Sequence, residues 1–459
     1  MRLALDAIRP CLEGAIPAVI ATCARDGTPN VSYISEVHYV DPEHVALSFQ
    51  FFSKTRPNVL ENPRASVVVI HPESGAQYKL SVQYLRTEES GPLFESMKAK
   101  LAGIASHTGM AGVFRLRGAD VYRVDDIVQV YGTPMHALPP RLNALAALRQ
   151  GIPRLAGAAD LETLLDNALA VMREQFRFHH AMVLMHDPTL ERLYTVASTG
   201  YAQSGVGAEI ALGEGVIGVA AQQRTPIRIT HATTEFGYGR AARAATASHG
   251  LASRLDEEIP FPGLADSQSQ IAVPILADER LVGVLFAESD EPGRFGYDEE
   301  DALVLLASHI GVTARFCDEA AEAQEAVDAP ASRLAPPQGQ ALRVRRYAEN
   351  DSIFVDEDCL IKGVAGAILW RLLRGYVEER RTEYTNRELR LDPAIHLPDL
   401  SENLEARLIL LQRRLAERCP ALRIEKTGRG RFRLDVARPL ALSDMQPGTP
   451  ERPGLQRVN

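Results

Sequence analysis

The sequence of 459 residues has no apolar run of the roughly 18 residues that a membrane-spanning helix requires. Its beginning carries the carboxylates Asp6 and Glu13 and lacks the apolar stretch of a signal peptide. The five cysteines are odd in number and include no CxxC pair, which favours buried thiols over disulfides or metal ligands, with a redox thiol as the alternative. We therefore expect a cytoplasmic protein that contacts no membrane and holds no metal ion.

The charge is unevenly distributed along the chain. The net charge is −9, yet residues 341–440 contain 20 Lys+Arg against 16 Asp+Glu, a balance of +4 that leaves −13 on the remainder. One basic segment on an acidic chain is typical of a nucleic-acid-binding domain. The length predicts about three domains, each able to bury a core.

Two proline-containing stretches, 136–155 and 318–340, divide the chain, because proline ends helices and stiffens linkers. No catalytic constellation stands out in any segment. The sequence predicts an α+β multidomain protein with these parts: a first domain over 1–137, a second over 155–320, a linker over 321–340, a third domain over 341–440, and a disordered tail over 441–459.

The first segment alternates apolar strands with turns. Asp26-Gly27 lies between two apolar runs, which predicts a β-hairpin, and the later strands predict an antiparallel barrel. The strands are followed by Ser53-Lys54 and, nine residues after Ser53, by Asn62-Pro63-Arg64. This order resembles the pyridoxamine 5'-phosphate oxidase-like split β-barrel, which binds FMN, over about residues 8–132.

The resemblance implies an FMN whose phosphate is gripped by hydroxyl and cationic donors. Two positions depart from the family: Lys54-Thr55 replaces an Arg-Lys pair, and Ser32 replaces a phosphate-binding Arg. The alternatives are haem or another planar ligand, or a degenerate barrel used for dimerisation. The residues that the resemblance assigns to the cofactor are Ser32, Tyr33, Ser48, Phe49, Gln50, Ser53, Lys54, Arg56 and Asn58.

The second segment begins with an amphipathic helix that Asp160 is expected to cap. Downstream motifs are GEGVIGVA at 213–220, SQIAVPI at 269–275 and Gly283-Val284-Leu285. Together they resemble a GAF domain, an α/β/α sandwich that binds small ligands, over about residues 158–318. Tyr238, Arg240 and Arg243 lie in the long 231–268 loop and are the candidate ligand contacts. A surface helix with solvated arginines is the alternative interpretation.

The third segment predicts short strands, a helix over 362–379, a shorter helix capped by Thr385, a longer helix capped by Ser401, and a hairpin around residues 428–430. It resembles the OmpR-type winged helix-turn-helix over about 341–437. That resemblance implies that the longer helix enters the DNA major groove while the hairpin contacts phosphates. The candidate DNA contacts are Arg407, Arg413, Arg414, Arg429 and Arg431.

The longer helix has two faces. Its buried stripe is expected to consist of Leu404, Leu408, Leu411 and Leu415. The residues then expected to point outward are Glu402, Ala406, Ile409, Leu410 and Arg413. Two outward aliphatic side chains fit either contact with thymine methyl groups or a protein interface.

We thus expect a cytoplasmic, ligand- or redox-responsive transcriptional regulator that binds a small molecule and DNA. A homodimer is expected, formed through the barrel and the helix over 318–327. The alternatives are a flavin-dependent oxidoreductase regulated by its GAF domain, and a signalling scaffold whose winged helix binds protein.

Overall fold

The computed structural model describes residues 3–13, 16–49, 54–107, 115–132, 142–230, 259–323, 337–393, 395, 404–428 and 430–445. No helix within these ranges is long and apolar enough to cross a membrane.

The first domain is built on one seven-stranded antiparallel sheet with the order β2-β1-β5-β6-β7-β4-β3. The hairpin predicted at Asp26-Gly27 joins β1 to β2, and Gly27 adopts the positive φ of 89° that the turn requires. The strands are β1 Ala18–Cys23, β2 Pro29–Ile34, β3 Val37–Asp41, β4 His44–Phe49, β5 Arg64–Ile70, β6 Gln77–Glu88 and β7 Gly118–Tyr131.

The helices of this domain are only partly those that the sequence predicts. The predicted helical step after β4 is α1, Thr55–Glu61. The structure adds a 3₁₀ helix over Leu5–Leu12 and the helix α2 over Pro92–His107. Ala99 of α2 is fully buried and belongs to the same apolar cluster as residues of the second domain, so α2 joins the two domains.

The second domain has a six-stranded sheet with the order β10-β9-β8-β13-β12-β11. Its strands are β8 His180–Asp187, β9 Arg192–Thr199, β10 Glu209–Ala211, β11 Ile227–Ile229, β12 Ser269–Ala277 and β13 Arg280–Ser289. Its helices are α3 Ala144–Ala156, α4 Leu161–Glu174, α5 Gly215–Gln223 and α6 Tyr297–Ala323. The predicted cap of α4 is present, since Asp160 accepts a hydrogen bond of 2.9 Å from the Thr163 amide.

Two boundaries differ from the predicted ones. The stretch before residue 155 contains α3, whose Leu148 and Leu155 are buried in the core shared with α4 and α6. The helix α6 continues to Ala323, three residues past the predicted end of the domain. Both helices belong to the second domain because their apolar faces are buried there.

The described residues of the third domain form two small sheets and three helices. The sheets have the orders β16-β15-β14-β20 and β17-β19-β18. Thr385 and Glu388 form a reciprocal capping box at the start of the second helix, as Thr385 predicted. The elements are β14 Leu342–Tyr347, β15 Ser352–Val355, β16 Asp358–Ile361, α7 Gly363–Glu379, β17 Glu383–Thr385, α8 Asn386–Leu391, α9 Leu404–Arg418, β18 Leu422–Gly428, β19 Arg431–Val436 and β20 Leu440–Met445.

The start of the expected disordered tail is instead a strand. β20 pairs in parallel with β14 from Leu342↔Leu440 to Tyr347↔Met445. Alternate residues of β14 are buried, and its far edge offers backbone groups that β20 satisfies. The third domain therefore extends to residue 445. The expected cap of α9, Ser401, lies outside the described residues.

Candidate functional site

Arg56 on α1, one of the two cations expected to bind the flavin phosphate, makes several contacts with side chains of the barrel. Its Nη1 donates to Asp120 Oδ1 at 2.8 Å and to Thr87 Oγ1 at 3.2 Å. The guanidinium also lies 4.3 Å from the centre of the Phe49 ring. Asp120 is only 6% exposed, so Arg56 neutralises a buried carboxylate.

Other expected cofactor residues have structural partners of their own. Asn58 is buried and donates to Thr22 Oγ1 at 3.1 Å, and Ser48 Oγ accepts from the Glu36 amide at 3.2 Å. Lys54 is exposed at the start of α1. Ser32 and Tyr33 lie on β2, and Gln50 and Ser53 lie outside the described residues. The described side chains alone therefore do not form the convergent donor set that an FMN phosphate needs.

A buried carboxylate in the second domain was missed by sequence reasoning. Glu288 on β13 is 4% exposed, and its Oε1 accepts from the Leu264 amide at 3.0 Å. Gln270 Nε2 lies 3.5 Å from Glu288 Oε2. Burial, together with the charge of Glu288, raises the pKa of the nearby Tyr201. A carboxylate inside the apolar run VLFAES was the available signal.

This carboxylate has chemistry suited to a ligand. No Lys or Arg of the described ranges forms an ion pair with Glu288, and His180 packs edge-on to Tyr201 with ring centres 5.4 Å apart. A buried carboxylate of this kind favours a cationic or hydroxyl-bearing group. Tyr238, Arg240 and Arg243, the expected ligand contacts, lie outside the described residues.

The helix α9, expected to read DNA, lies against the second domain. Arg413 Nη2 donates to Asp166 Oδ1 at 2.6 Å, and its Nη1 donates to the Val196 carbonyl at 3.2 Å. Arg407 forms an ion pair with Asp187, which is buried. The Arg407 guanidinium also lies 3.9 Å from the centre of the Tyr194 ring.

The expectation that Ala406, Ile409 and Leu410 point outward is wrong. They are 0%, 0% and 3% exposed and belong to the apolar cluster that also contains the core of α4 and β9. The predicted leucine stripe on the other side of α9 is confirmed as buried. Both faces of the helix are covered, one by its own domain and one by the second domain.

The remaining candidate arginines differ from one another. Arg414 is 5% exposed and donates to the Leu360 carbonyl at 2.7 Å, so it holds α9 to β16 within the third domain. Burial, reinforced by the nearby charge of Arg418, lowers the pKa of Arg414. Arg431 lies at the start of β19, and Arg429 lies outside the described residues.

Lys426 on β18 sits among three carboxylates. Its Nζ lies 2.9 Å from Asp160 and 3.3 Å from Glu162, both of the second domain, and 3.4 Å from Glu405 on α9. Burial alone would lower the pKa of Lys426, but the hydrogen bond to Asp160 and the surrounding negative charge raise it. Burial and the charges of Asp160 and Glu162 raise the pKa of Glu405, although Lys426 opposes them.

A cavity of about 480 Å³ lies at the same junction. Pockets of this size at domain boundaries are common ligand sites. Gln412 donates to the Ile424 carbonyl at 2.9 Å, and its buried Oε1 has no hydrogen-bond partner in the described part of the chain. The lining combines apolar side chains with charged ones, among them Cys317, Leu408, Phe432, Asp160, Glu405 and Lys426.

A buried ionic contact joins the first two domains. Arg228 on β11 lies 2.8 Å from Glu13 and 2.8 Å from Glu300 of α6. Burial opposes the charge of Arg228, yet Glu13 and Glu300 raise its pKa, so it remains cationic. Tyr297 packs on the same guanidinium at 4.2 Å. This contact and α2 link the barrel to the sheet of the second domain.

Comparison with known proteins identifies two of the three domains. Residues 158–313 match the family model for the GAF domain. The second domain is a GAF domain. Residues 4–125 match the family model for pyridoxamine 5'-phosphate oxidase, so the first domain is a split barrel of the FMN-binding type. These two matches end at residue 313, and the winged-helix assignment stays a prediction.

An uncharacterized protein of Methanocaldococcus jannaschii is 33% identical over 73 residues, which is 15% of this chain and 49% of that protein. The chain thus matches about half the length of this curated relative. Among solved structures, the GAF domain of an Acinetobacter phosphoenolpyruvate-protein phosphotransferase is 19% identical, with coverage of 40% of this chain and 97% of the other and a TM-score of 0.30.

Two further solved structures are similar to this chain at comparably low identity and TM-score. The free methionine-R-sulfoxide reductase of Neisseria meningitidis is 22% identical, with coverage of 40% and 99% and a TM-score of 0.31. An FMN-binding protein of Syntrophomonas wolfei is 19% identical, with coverage of 28% and 91% and a TM-score of 0.22. At these identities and scores no substrate, cofactor or activity is transferred to this chain.

Proposed function

We propose that this protein is a cytoplasmic, ligand-responsive transcriptional regulator whose third domain binds DNA as an OmpR-type winged helix. The observation that carries the proposal is the contact between the GAF domain and α9, the helix that would enter the major groove. A conformational change in the GAF domain would therefore act directly on α9, the helix proposed to contact DNA bases. The ligand class is a small molecule with a cationic or hydroxyl group, held by Glu288 and Tyr201.

The order of elements supports a winged helix. Three helices, α7, α8 and α9, are followed by the hairpin β18–β19, and β17 pairs with β19 beside them. In this arrangement the last helix reads bases and the hairpin is the wing. Arg431 at the start of β19 and Arg429, two positions earlier in the sequence, are the expected phosphate contacts.

The test of this function is DNA binding by the full chain. Arg429→Ala with Arg431→Ala is expected to weaken binding to a selected site and to a scrambled site alike, and to reduce the salt-dependence slope by about two units at most. Arg149→Ala with Arg173→Ala removes the same charge from exposed positions of the GAF domain on α3 and α4, away from the third domain, and should leave both quantities unchanged. Fluorescence anisotropy over a salt series measures them.

Three outcomes decide between the proposed classes. A wing variant that binds like wild type contradicts the assignment of the wing. If neither wild type nor the Asp166→Arg variant described below binds DNA at low salt, a scaffold whose winged helix binds protein is favoured. Turnover of a flavin-dependent oxidation would instead favour the regulated oxidoreductase.

For the barrel we propose FMN as the ligand, on the basis of the family match and of Lys54, with haem or another planar ligand as the alternative. FMN uptake by the purified protein is expected to give the absorbance of bound flavin, and mass spectrometry identifies what is released. Lys54→Ala should weaken uptake because a charge-assisted contact to phosphate contributes about 1.5–3 kcal/mol. The matched control is Lys98→Ala on α2, whose side chain is 43% exposed and pairs with Glu95. Equal uptake by the two variants contradicts the site.

We also propose a homodimer formed through the barrel. The face of its sheet that contains Tyr33, Val128 and Tyr131 carries exposed apolar side chains at 81%, 44% and 68% exposure. Tyr33, Val19, Val68, Lys79 and Val128 are successive register partners across five strands, so they share this face. Lys79 is the charged member of this set, and the other four are apolar; an exposed, largely apolar face of this kind is typical of a protein interface.

A further inference from the structure

Four cationic side chains of the third domain form ion pairs with carboxylates of the GAF domain. Besides the contacts of Arg407, Arg413 and Lys426, Lys362 before α7 lies 3.5 Å from Glu209 on β10. Each of the four cations has at least one carboxylate partner across the domain boundary. We name these carboxylates the acid face: Asp160, Glu162, Asp166, Asp187 and Glu209.

We infer that the acid face occupies α9 and the wing in place of DNA phosphates, so that the docked chain is autoinhibited. The inference rests on the proposed function, because it needs a third domain that binds DNA. Carboxylates and phosphates are both oxyanions that accept charge-assisted hydrogen bonds from arginine. The side chains of Arg407 and Arg413 are 12% and 18% exposed in the docked state. A phosphate cannot reach them until the domains separate.

The acid face is preformed on the GAF side. Asp187 Oδ1 accepts from the amides of Thr189 at 3.0 Å and Leu190 at 3.2 Å, so the turn after β8 fixes this carboxylate. Asp160 is fixed in the same way as the cap of α4. Carboxylates that the GAF domain already holds in place lose little conformational entropy on docking.

The interface between the third domain and the acid face has solvent-exposed ion pairs at its edge, so it can open and close. Asp166 remains 62% exposed and Lys426 is 34% exposed, so water and salt reach the rim of the interface. Rim ion pairs of this kind contribute modestly to affinity. The buried aliphatic residues Ile409 and Leu410 hold the centre of the interface. A ligand that shifts the GAF domain by a small amount is therefore able to release α9.

The test uses the full chain and charge reversal. Asp166→Arg places two cations opposite each other and is expected to release α9, raising affinity for DNA about 5- to 150-fold, the usual range of coupling between sites. Glu174→Arg is the matched control: it changes the same charge on the same helix α4, but Glu174 pairs with Arg154 and Arg173 of its own domain. Hydrogen exchange of α9 reports docking independently of DNA.

Asp166→Arg combined with Arg413→Asp should restore the exchange protection of α9, because the ion pair is rebuilt with its charges exchanged. Faster exchange in α9 together with tighter DNA binding in Asp166→Arg alone supports the inference. Faster exchange without any DNA binding at low salt overturns the proposed function. Unchanged exchange, or DNA affinity equal to that of Glu174→Arg, overturns the autoinhibition while leaving DNA binding intact.

Discussion

Glu405 lies at the domain junction, where its surroundings disfavour the charged form and raise its pKa. Its side chain is 12% exposed, and Asp160 and Glu162 lie on the far side of Lys426. One ammonium group thus faces three carboxylates. Since burial and these like charges raise the pKa of Glu405, its ionised form costs stability that its ion pair with Lys426 does not fully offset.

The sign of the pH dependence follows from that shift. A carboxyl group whose pKa is raised on folding stabilises the fold fully below its unfolded pKa of about 4.3, and this stabilisation is lost as pH rises through the raised value. Asp160 acts in the opposite sense, because burial raises its pKa less than the Thr163 amide and Lys426 lower it. Its contribution is lost only as pH falls below about 3.9.

Glu405→Gln is therefore expected to raise the free energy of unfolding at pH 7 and to have a smaller effect at pH 5. Urea unfolding at both pH values measures this. Glu417→Gln is the control, since Glu417 is an exposed residue of the same helix. Lower stability of Glu405→Gln at pH 7 would mean that the ion pair with Lys426 dominates over burial.

At the level of single side chains, the sequence could predict the residue types of the site but not their partners. Arg413 and Asp166 are separated by 247 positions, and Lys426 and Asp160 by 266. No local pattern marks such a pair, because either charge alone looks like an ordinary solvated residue. Arg56 likewise gives no local sign of its partner Asp120, which lies 64 positions later on β7.

Among the secondary structure elements, α4 is preceded by a residue with two roles, Asp160. Asp160 caps the helix through the Thr163 amide and also receives Lys426 from the wing. The cap was predictable from its position before an amphipathic run. The wing contact was not, because it depends on how the third domain docks.

The two roles of Asp160 are separable by substitution. Asp160→Asn keeps the cap, because Asn and Asp are about equal at this position, but it removes the charge that Lys426 meets. Asp160→Ala removes both. We expect the free energy of unfolding of Asp160→Ala to be about 1 kcal/mol lower than that of Asp160→Asn. Hydrogen exchange of α9 should be equally fast in the two variants, because both lack the charge that pairs with Lys426. Equal stability of the two variants would show that the cap contributes nothing.

The helix α9 shows how far periodicity reaches. Its leucine stripe was predicted correctly, because residues spaced by three and four share one face of a helix. The same geometry placed Ile409 and Leu410 on the other face, which is also correct. Their exposure was the wrong step, since a second domain covers that face. The 3₁₀ helix and α2 were missed, the first because it contains Pro10 and the second because it packs between two domains.

For the whole molecule, the three domains form a chain of contacts with the GAF domain in the middle. The barrel reaches it through α2 and through the buried Glu13–Arg228–Glu300 cluster. The third domain reaches it through the acid face. The GAF domain thus shares buried surface with both neighbours, and the domain order of the sequence is also the order of contact.

The acid face also has a consequence for how each chain is made. Domains generally fold in order as the ribosome releases them, at about 5–20 residues per second. The acid face lies between residues 160 and 209, and α9 begins at residue 404. The GAF domain is complete only when α6 ends at Ala323, so roughly 4–16 seconds remain for it to fold before the start of α9 at Leu404 is synthesised. A nascent third domain is thus tethered to a GAF domain that has had time to fold, and the tether gives the acid face a high effective concentration at α9, so we expect newly made chains to dock before they bind DNA.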